Sequence, residues 1–235
     1  MEGIATNLAE VRRRMEVACR RAGREPGDVE LVAVSKTFPV SDIAEAVKAG
    51  QQVFGESRLQ EAELKIDELP SSLCWHFIGG VQRNKVRKIL QKFGVIHAID
   101  SLRLAEYVNG IACELGHAAE VFLQVNVGGE ASKGGFEPAV LRQEIGKLCA
   151  LEHLRIHGLM CIPPAVPDAE SARRWFVSLR ELRDELEAIS GRQFPQLSMG
   201  MSGDYEVAIE EGATHVRVGS LIFGHRSQRV EGELG

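Results

Sequence analysis

Eight short apolar runs, each separated from the next by a helical pattern, constrain this chain more than any other feature. The runs are LVAVS (31–35), QQVFGE (51–56), CWHFIG (74–79), VIHAID (95–100), VFLQVNV (121–127), LRIHGLMCI (154–162), LSMG (197–200) and HVRVGSLIFG (215–224). Between them lie amphipathic stretches such as SDIAEAVKAG, RNKVRKILQKFG, LRLAEYVNGIACELG and ARRWFVSLRELRDELEAI. Strands that alternate with helices pair in parallel through right-handed crossovers. Eight such units in 235 residues predict a closed (β/α)8 TIM-type barrel, a fold that takes ~250 residues. An open doubly wound sheet is the alternative, but no GxGxxG follows the first run. A helix within 1–24 precedes the first strand, with Ile4, Leu8, Val11, Met15 and Ala18 on one stripe. It is expected to cap or flank the barrel. No linker-like stretch divides the chain, so 1–235 reads as one domain.

A barrel of this kind carries its site at the C-terminal ends of the strands. Those ends supply Lys36, Glu56 and Ser57, Gly79 and Gly80, Asp100, Asn126, Met160, Met199 to Ser202, and Gly219 with Ser220. The set holds one candidate nucleophile, many glycines and serines, and no cluster of carboxylates or of His and Cys. Lys36, in LVAVSKTFPV, stands where a buried strand emerges. A solvated, snorkelling lysine is the ordinary reading of such a position. A lysine held at the mouth of a buried strand can instead be desolvated and act as a nucleophilic amine.

LSMGMSGDYEVAIEEG (197–212) ends a strand near Gly200, offers Ser202 as a helix N-cap and continues as a short helix. A helix start, its backbone N–H groups and a serine hydroxyl make an anion site. Gly219 and Ser220 then fall near the end of the eighth strand, and barrels often bind phosphate between the loops after strands seven and eight. Either glycine-serine pair alone reads as simple turn chemistry; two at the expected strands favour phosphate. Arg217 alternates with Val216 and Val218 and projects to one face of its strand. Taken alone it reads as one half of a salt bridge.

Other motifs fail. GGVQRNKV departs from a Walker A loop at Asn84 and Val86, HExxH is absent, and His153 and His157 share no helical face. His76 reads as a satisfied core or mouth histidine. Five cysteines, odd in number and never CxxC, argue against a disulfide framework or a zinc site and suit a reducing compartment. The N-terminus has no apolar signal region and no run approaches ~18 apolar residues, so the expected location is the cytoplasm. A net charge of -5 gives no global pull toward nucleic acid or anionic membrane. The basic stretches EVRRRMEVACRR and QRNKVRKILQK read as solvated helix faces.

A strand-end lysine, a phosphate cradle and a facing arginine fit a cofactor that has both an aldehyde and a phosphate, pyridoxal 5′-phosphate (PLP). The chain also resembles the pyridoxal phosphate homeostasis proteins, whose barrel is like that of alanine racemase. The resemblance covers nearly the whole sequence through LVAVSKT, FGESRLQEAELK, WHFIGGVQRNK, QVNVGGEASKGGF, GLMCIPP, LSMGMSGDYEVAIEEG and VRVGSLIFGHR. It implies that Lys36 carries PLP as a Schiff base and that Ser202, Gly219 and Ser220 bind its phosphate. Arg217 matches the arginine facing the pyridine nitrogen; Met199, Gly200 and Ser57 complete the expected cofactor set. Ser57 stands where the family commonly has asparagine, Arg58 where a tyrosine often follows, and Gly80 where histidine or proline is frequent.

The resemblance implies a carrier that holds PLP and hands it to PLP-dependent apoenzymes, without turnover of amino acids. The alternative is a PLP enzyme, above all a racemase, which needs acid/base groups on both faces of the substrate carbon. Alanine racemases take one of them, a tyrosine, from a second domain of a partner subunit. This chain reaches Gly235 soon after its eighth strand, so no such domain is expected, and a monomer is. A sugar-phosphate barrel enzyme using Lys36 in aldolase fashion would explain the phosphate site but not Arg217.

Overall fold

The structure, a computed structural model, describes residues 3–130 and 134–224. Its strands are β1 (Glu30–Val34), β2 (Val53–Glu56), β3 (Cys74–Phe77), β4 (Val95–Ile99), β5 (Ala119–Val125), β6 (Leu154–Cys161), β7 (Gln196–Met201) and β8 (His215–Val218). Each pairs in parallel with the next, and β8 closes on β1 with Val32 opposite Arg217 and Ala33 opposite Val218. The helices are α1 (Ile4–Arg21), α2 (Val40–Lys48), α3 (Leu59–Glu68), α4 (Val86–Lys92), α5 (Leu102–Leu115), α6 (Pro138–Cys149), α7 (Ala169–Ser190), α8 (Tyr205–Glu210) and α9 (Ser220–Phe223). This is the (β/α)8 barrel expected from the alternation of patterns.

Period-two alternation decides which residues face the helices and which face the barrel axis. On β1, Leu31 and Ala33 join the apolar layer under the helices, while Val34 opens into the barrel mouth. On β8, Val216 and Val218 join that layer, which leaves His215 and Arg217 pointing inward. Ala98, Phe122 and Met160 form a small apolar plug of their own. Local signals set the helix ends. The Ser101 hydroxyl accepts from Leu104 N–H to start α5, and Gly116, at φ 75°, ends it in the left-handed region that glycine tolerates.

Helix α1 buries Leu8, Val11, Met15 and Ala18 of the stripe read from the sequence and leaves its first member, Ile4, half-buried. Leu8, Val11 and Met15 each contribute roughly 1.5–3 kcal/mol by leaving water. It lies against α2, α8 and α9 outside the barrel, and the Asn7 side chain donates to the Ile222 carbonyl at 3.0 Å. It therefore flanks the barrel. The two basic stretches are helical, and several of their charges pair with acidic neighbours: Arg14 with Glu206, Arg87 with Glu114, Lys92 with Asp67.

The eighth run needs a correction. Read as the eighth strand over 216–226 with Gly219 and Ser220 near its end, it stops at Val218 and turns into α9. The Gly219 carbonyl accepts from both Ile222 and Phe223 N–H at 2.9 Å, and the Phe223 ring sits 5.0 Å from Phe38. A short apolar run fits a strand and a buried helical turn equally well. Residues 1–2, 131–133 within QVNVGGEASKGGF, and 225–235, which include His225 and Arg226 of VRVGSLIFGHR, lie outside the described residues. No helix among the described residues is long and apolar enough to cross a membrane.

Candidate functional site

A cavity of about 560 Å³ opens at the C-terminal ends of the strands. That volume lies within the ordinary range of small-molecule sites. Lys36, Arg217, Ser202, Gly219 and Ser220 all line it, together with Gly203 of the β7–α8 turn. Its apolar walls are Val34 and Met201, the latter among the expected strand-end residues, together with Phe38, Ile78 and Ile162. The last three are absent from the residues read off the sequence, although Ile78 and Ile162 each directly follow a strand's last residue.

Lys36 sits in a turn closed by Phe38 N–H donating to the Ser35 carbonyl at 3.1 Å. Val34 and Lys36 face the cavity, and Ser35 between them is fully buried on the other side. Thr37 has φ 72°, the positive value that type II turns place at their third residue. A β-branched side chain rarely adopts it.

Arg217 is 4% exposed, yet it reaches the cavity floor. One amino group donates to Ser198 Oγ at 2.6 Å and the other to the Cys161 carbonyl at 2.8 Å. No carboxylate among the described residues pairs with it, so the salt bridge that would explain it on sequence grounds is replaced by neutral acceptors. Burial lowers its pKa, but an arginine stays cationic in a protein. Its charge is thus held, desolvated, against the floor of an open pocket.

A polar chain runs behind it through the barrel. Ser198 Oγ lies 2.8 Å from His97 Nδ1, and His97 Nε2 lies 3.0 Å from His76 Nδ1. Ser198, which accepts from Arg217, has one proton to give: where it goes to His97 Nδ1, His97 donates from Nε2 to His76, and the opposite tautomer reverses both bonds. Either order needs neutral rings. Burial, reinforced by His76 and Arg217, holds His97 well below the usual histidine range, and burial pulls His76 down to about 4. His76 is therefore the satisfied interior histidine expected from CWHFIG.

Neutral burial makes the fold acid-sensitive. With a folded pKa near 4 and an unfolded value of 6.5, His76 binds its proton more tightly in the unfolded chain between those values. The contribution of this ring is then flat above pH 7 and declines as pH falls below 6.5, with about 2 kcal/mol lost to it by pH 5. Urea unfolding at pH 7.5, 6 and 5 reads this window, most of which lies above the carboxylate range. Equal stability at all three would show that the rings are not held neutral.

Directly beside β1 at the mouth, where β8 ends, Gly219 N–H donates to Ser202 Oγ at 3.2 Å, and Ser220 is exposed to the cavity. A Cβ on Gly219 would lie 3.1 Å from the Val34 carbonyl oxygen, so the bare backbone fits where a side chain would crowd it. Ser202 does not cap α8, as its sequence position suggested. Asp204 precedes that helix and accepts from Met201 N–H at 2.6 Å, which leaves the Ser202 hydroxyl turned toward Gly219.

The other residues of the expected set lie elsewhere. Met199 is fully buried in the layer under the helices. Gly200, at φ 91°, lets α8 close on the strand end, for a Cβ there would meet Ala208 at 2.6 Å. Ser57 follows β2 outside the cavity lining, its backbone pressed against Gly79. Among further strand-end candidates, Asp100 lines a separate depression with Arg83 and Arg103, and Met160 belongs to the apolar plug. All five cysteines are free, and no group of His, Cys, Asp or Glu among the described residues could hold a metal ion.

The alanine racemase N-terminal domain model matches residues 6–227. The chain is 44% identical over 220 residues to the pyridoxal phosphate homeostasis protein of Aquifex aeolicus, across 93% of this chain and 96% of that one. The chain belongs to the pyridoxal phosphate homeostasis protein family. Another member, from Escherichia coli K12, is 40% identical over 232 residues, 96% and 98% of the two chains. Within the same range lies PipY of Synechococcus elongatus, solved with and without PLP. The PLP-bound structure has a TM-score of 0.82 at 40% identity, and the PLP-free one 0.85 at 41%; each covers 94% of this chain and 100% of PipY. Alanine racemase of Clostridium difficile shares the fold, with a TM-score of 0.71 at 18% identity over 93% of this chain and 60% of the racemase.

Proposed function

We propose that this chain binds PLP at the barrel mouth through Lys36, and that it holds and hands over the cofactor without turning over amino acids. One observation carries the reading. A single cavity gathers an amine, a desolvated guanidinium and a rim of hydroxyl and backbone N–H donors. When bound, PLP supplies an aldehyde that condenses with an amine, a phosphate, and a pyridine nitrogen whose protonation sets how strongly the ring draws electrons. The donors present match those three features. The Ser202 and Ser220 hydroxyls and the Gly203 N–H would hold the phosphate, joined by the Gly219 N–H on exchanging its bond to Ser202 Oγ for the anion. Lys36 would take the aldehyde end. Arg217 can only donate, so a nitrogen facing it must accept and stay unprotonated.

The same arginine limits chemistry that relies on a strongly electron-withdrawing ring, because a neutral pyridine stabilises carbanions poorly. A racemase also needs a second proton carrier across from Lys36. Among the described residues, the polar side chains lining the cavity are Lys36, Ser202, Arg217 and Ser220. Tyr205 is buried on α8, its hydroxyl without a partner and pushed up to about 12 by burial. Tyr107, on α5, packs under Arg83 instead. A carrier that releases the cofactor to PLP-dependent apoenzymes fits this inventory better than a racemase or an aldolase.

The test has two arms. Titration with PLP is expected to produce a visible absorption band that saturates at one cofactor per chain. Alanine and other amino acids, incubated with the loaded protein and resolved by chiral chromatography, are expected to show no conversion approaching ~1 s⁻¹, the lower end of ordinary enzyme rates. Turnover at that rate would overturn the carrier reading; absence of the band would remove PLP.

A further inference from the structure

Behind β1, on the face away from the cavity, lies a buried charge cluster that the proposed binding chemistry does not use. Lys65 on α3 is 5% exposed. Its ammonium donates to the Ser35 carbonyl at 2.9 Å, to Glu56 Oε1 at 2.7 Å and to Glu61 Oε1 at 2.6 Å. Those three bonds use all three of its hydrogens. Glu56 Oε1 also accepts from the Ser35 hydroxyl at 2.7 Å. Glu61 Oε1 also accepts from the Thr37 backbone N–H.

The cluster thus ties Ser35 twice and Thr37 once, the two residues on either side of Lys36. A surface ion pair would fasten α3 to the barrel without taking an ammonium and the Glu56 carboxylate out of water. The placement makes sense if what must be held is the turn itself. Thr37 keeps a positive φ that its side chain disfavours. Strained backbone of this kind persists where the surroundings over-determine it. The Glu61 carboxylate on the Thr37 N–H, anchored by Lys65, is such a restraint.

We propose that Lys65 and Glu61 are positioning residues for Lys36, clamping the turn on both sides so that its amine stays aimed into the cavity. This rests on the PLP reading above, and the experiment separates the two. Pyridoxine 5′-phosphate has the ring and phosphate of PLP but an alcohol in place of the aldehyde, so it cannot condense with Lys36. Both ligands are titrated against full-length wild type, Glu61→Ala, Glu61→Gln and Lys65→Met, with thermal melting of each.

In Glu61→Ala and Lys65→Met, PLP is expected to bind about tenfold more weakly, the effect of one charge-assisted hydrogen bond. Pyridoxine 5′-phosphate should stay within about threefold of wild type. Glu61→Gln retains an acceptor oxygen for the Thr37 N–H and should recover most of the loss. If Lys65→Met fails to fold, the Glu61 pair decides alone, since that side chain is a quarter exposed. Equal weakening of both ligands, or none, would overturn the clamp and leave a cluster that only fastens α3. A wild type that binds neither ligand would overturn the PLP reading and this inference with it. A wild type that binds both equally would show that Lys36 is not used.

Discussion

Lys36→Ala protein, mixed with PLP and reduced with borohydride, is expected to carry no added cofactor mass, whereas wild type carries one per chain on the Lys36 peptide. Among the described residues no other lysine lines the cavity. Lys65, which reaches the same turn at the Ser35 carbonyl, has its ammonium committed behind the strand. Lys88 and Lys92 pair with Glu63 and Asp67 on the outer helices. Truncating Lys36 removes atoms from the rim of an open cavity, so no packing void forms. The fold should persist with a stability change within about 0.5 kcal/mol, as for substitutions outside the core. Peptide mapping and a melting curve measure both. An adduct at full stoichiometry on another lysine would sink the assignment of Lys36.

The same alternation that exposes Lys36 made much of the fold readable in advance. Leu31, Ala33, Val216 and Val218 take one face of their strands, and Val34, Lys36 and Arg217 the other, as a period of two demands. The partners of these residues were not readable, because they arrive through barrel register. His97 meets Ser198 across 101 residues and Arg217 meets the Cys161 carbonyl across 56. Nothing in one sequence states those pairings. Ser198 carries no mark that sets it apart from other strand serines, and the cluster behind Lys36 needs the packing of α3 on β1 and β2. Met199 and Gly200 entered the expected site through their position at a strand end. The register of β7 against β8 shifts between Ser198 and Met201. Past that irregularity, counting alternate residues no longer tells inside from outside. The helical turn at Ser220–Phe223 was hidden for a different reason: four apolar-rich residues are too few to show either period.

Pyridoxal, which shares the aldehyde of PLP but has no phosphate, is expected to bind wild type at least ~100-fold more weakly. Two decades are ~2.7 kcal/mol, and charge-assisted hydrogen bonds contribute on the order of 1.5–3 kcal/mol each. The rim offers the Ser202 and Ser220 hydroxyls and the backbone of Gly203 and Gly219, so the expectation asks for little more than one of them. Ser220→Asp places a carboxylate in the same rim. Ser220 is exposed, so the substitution buries no charge and the barrel should fold as before. A like charge against the phosphate should cost PLP a comparable factor while pyridoxal binding stays nearly unchanged. The change in the PLP-to-pyridoxal ratio between wild type and Ser220→Asp isolates the phosphate contribution, because the cyclic hemiacetal that pyridoxal closes through its free 5′-hydroxyl is the same in both titrations and cancels. Equilibrium titration of each ligand against wild type and Ser220→Asp gives all four constants. If PLP and pyridoxal bind wild type equally well, the Ser202–Gly203 and Gly219–Ser220 segments are only turns. Lys36 would then be a reactive amine beside a buried arginine, and the case for a dedicated cofactor site would fall.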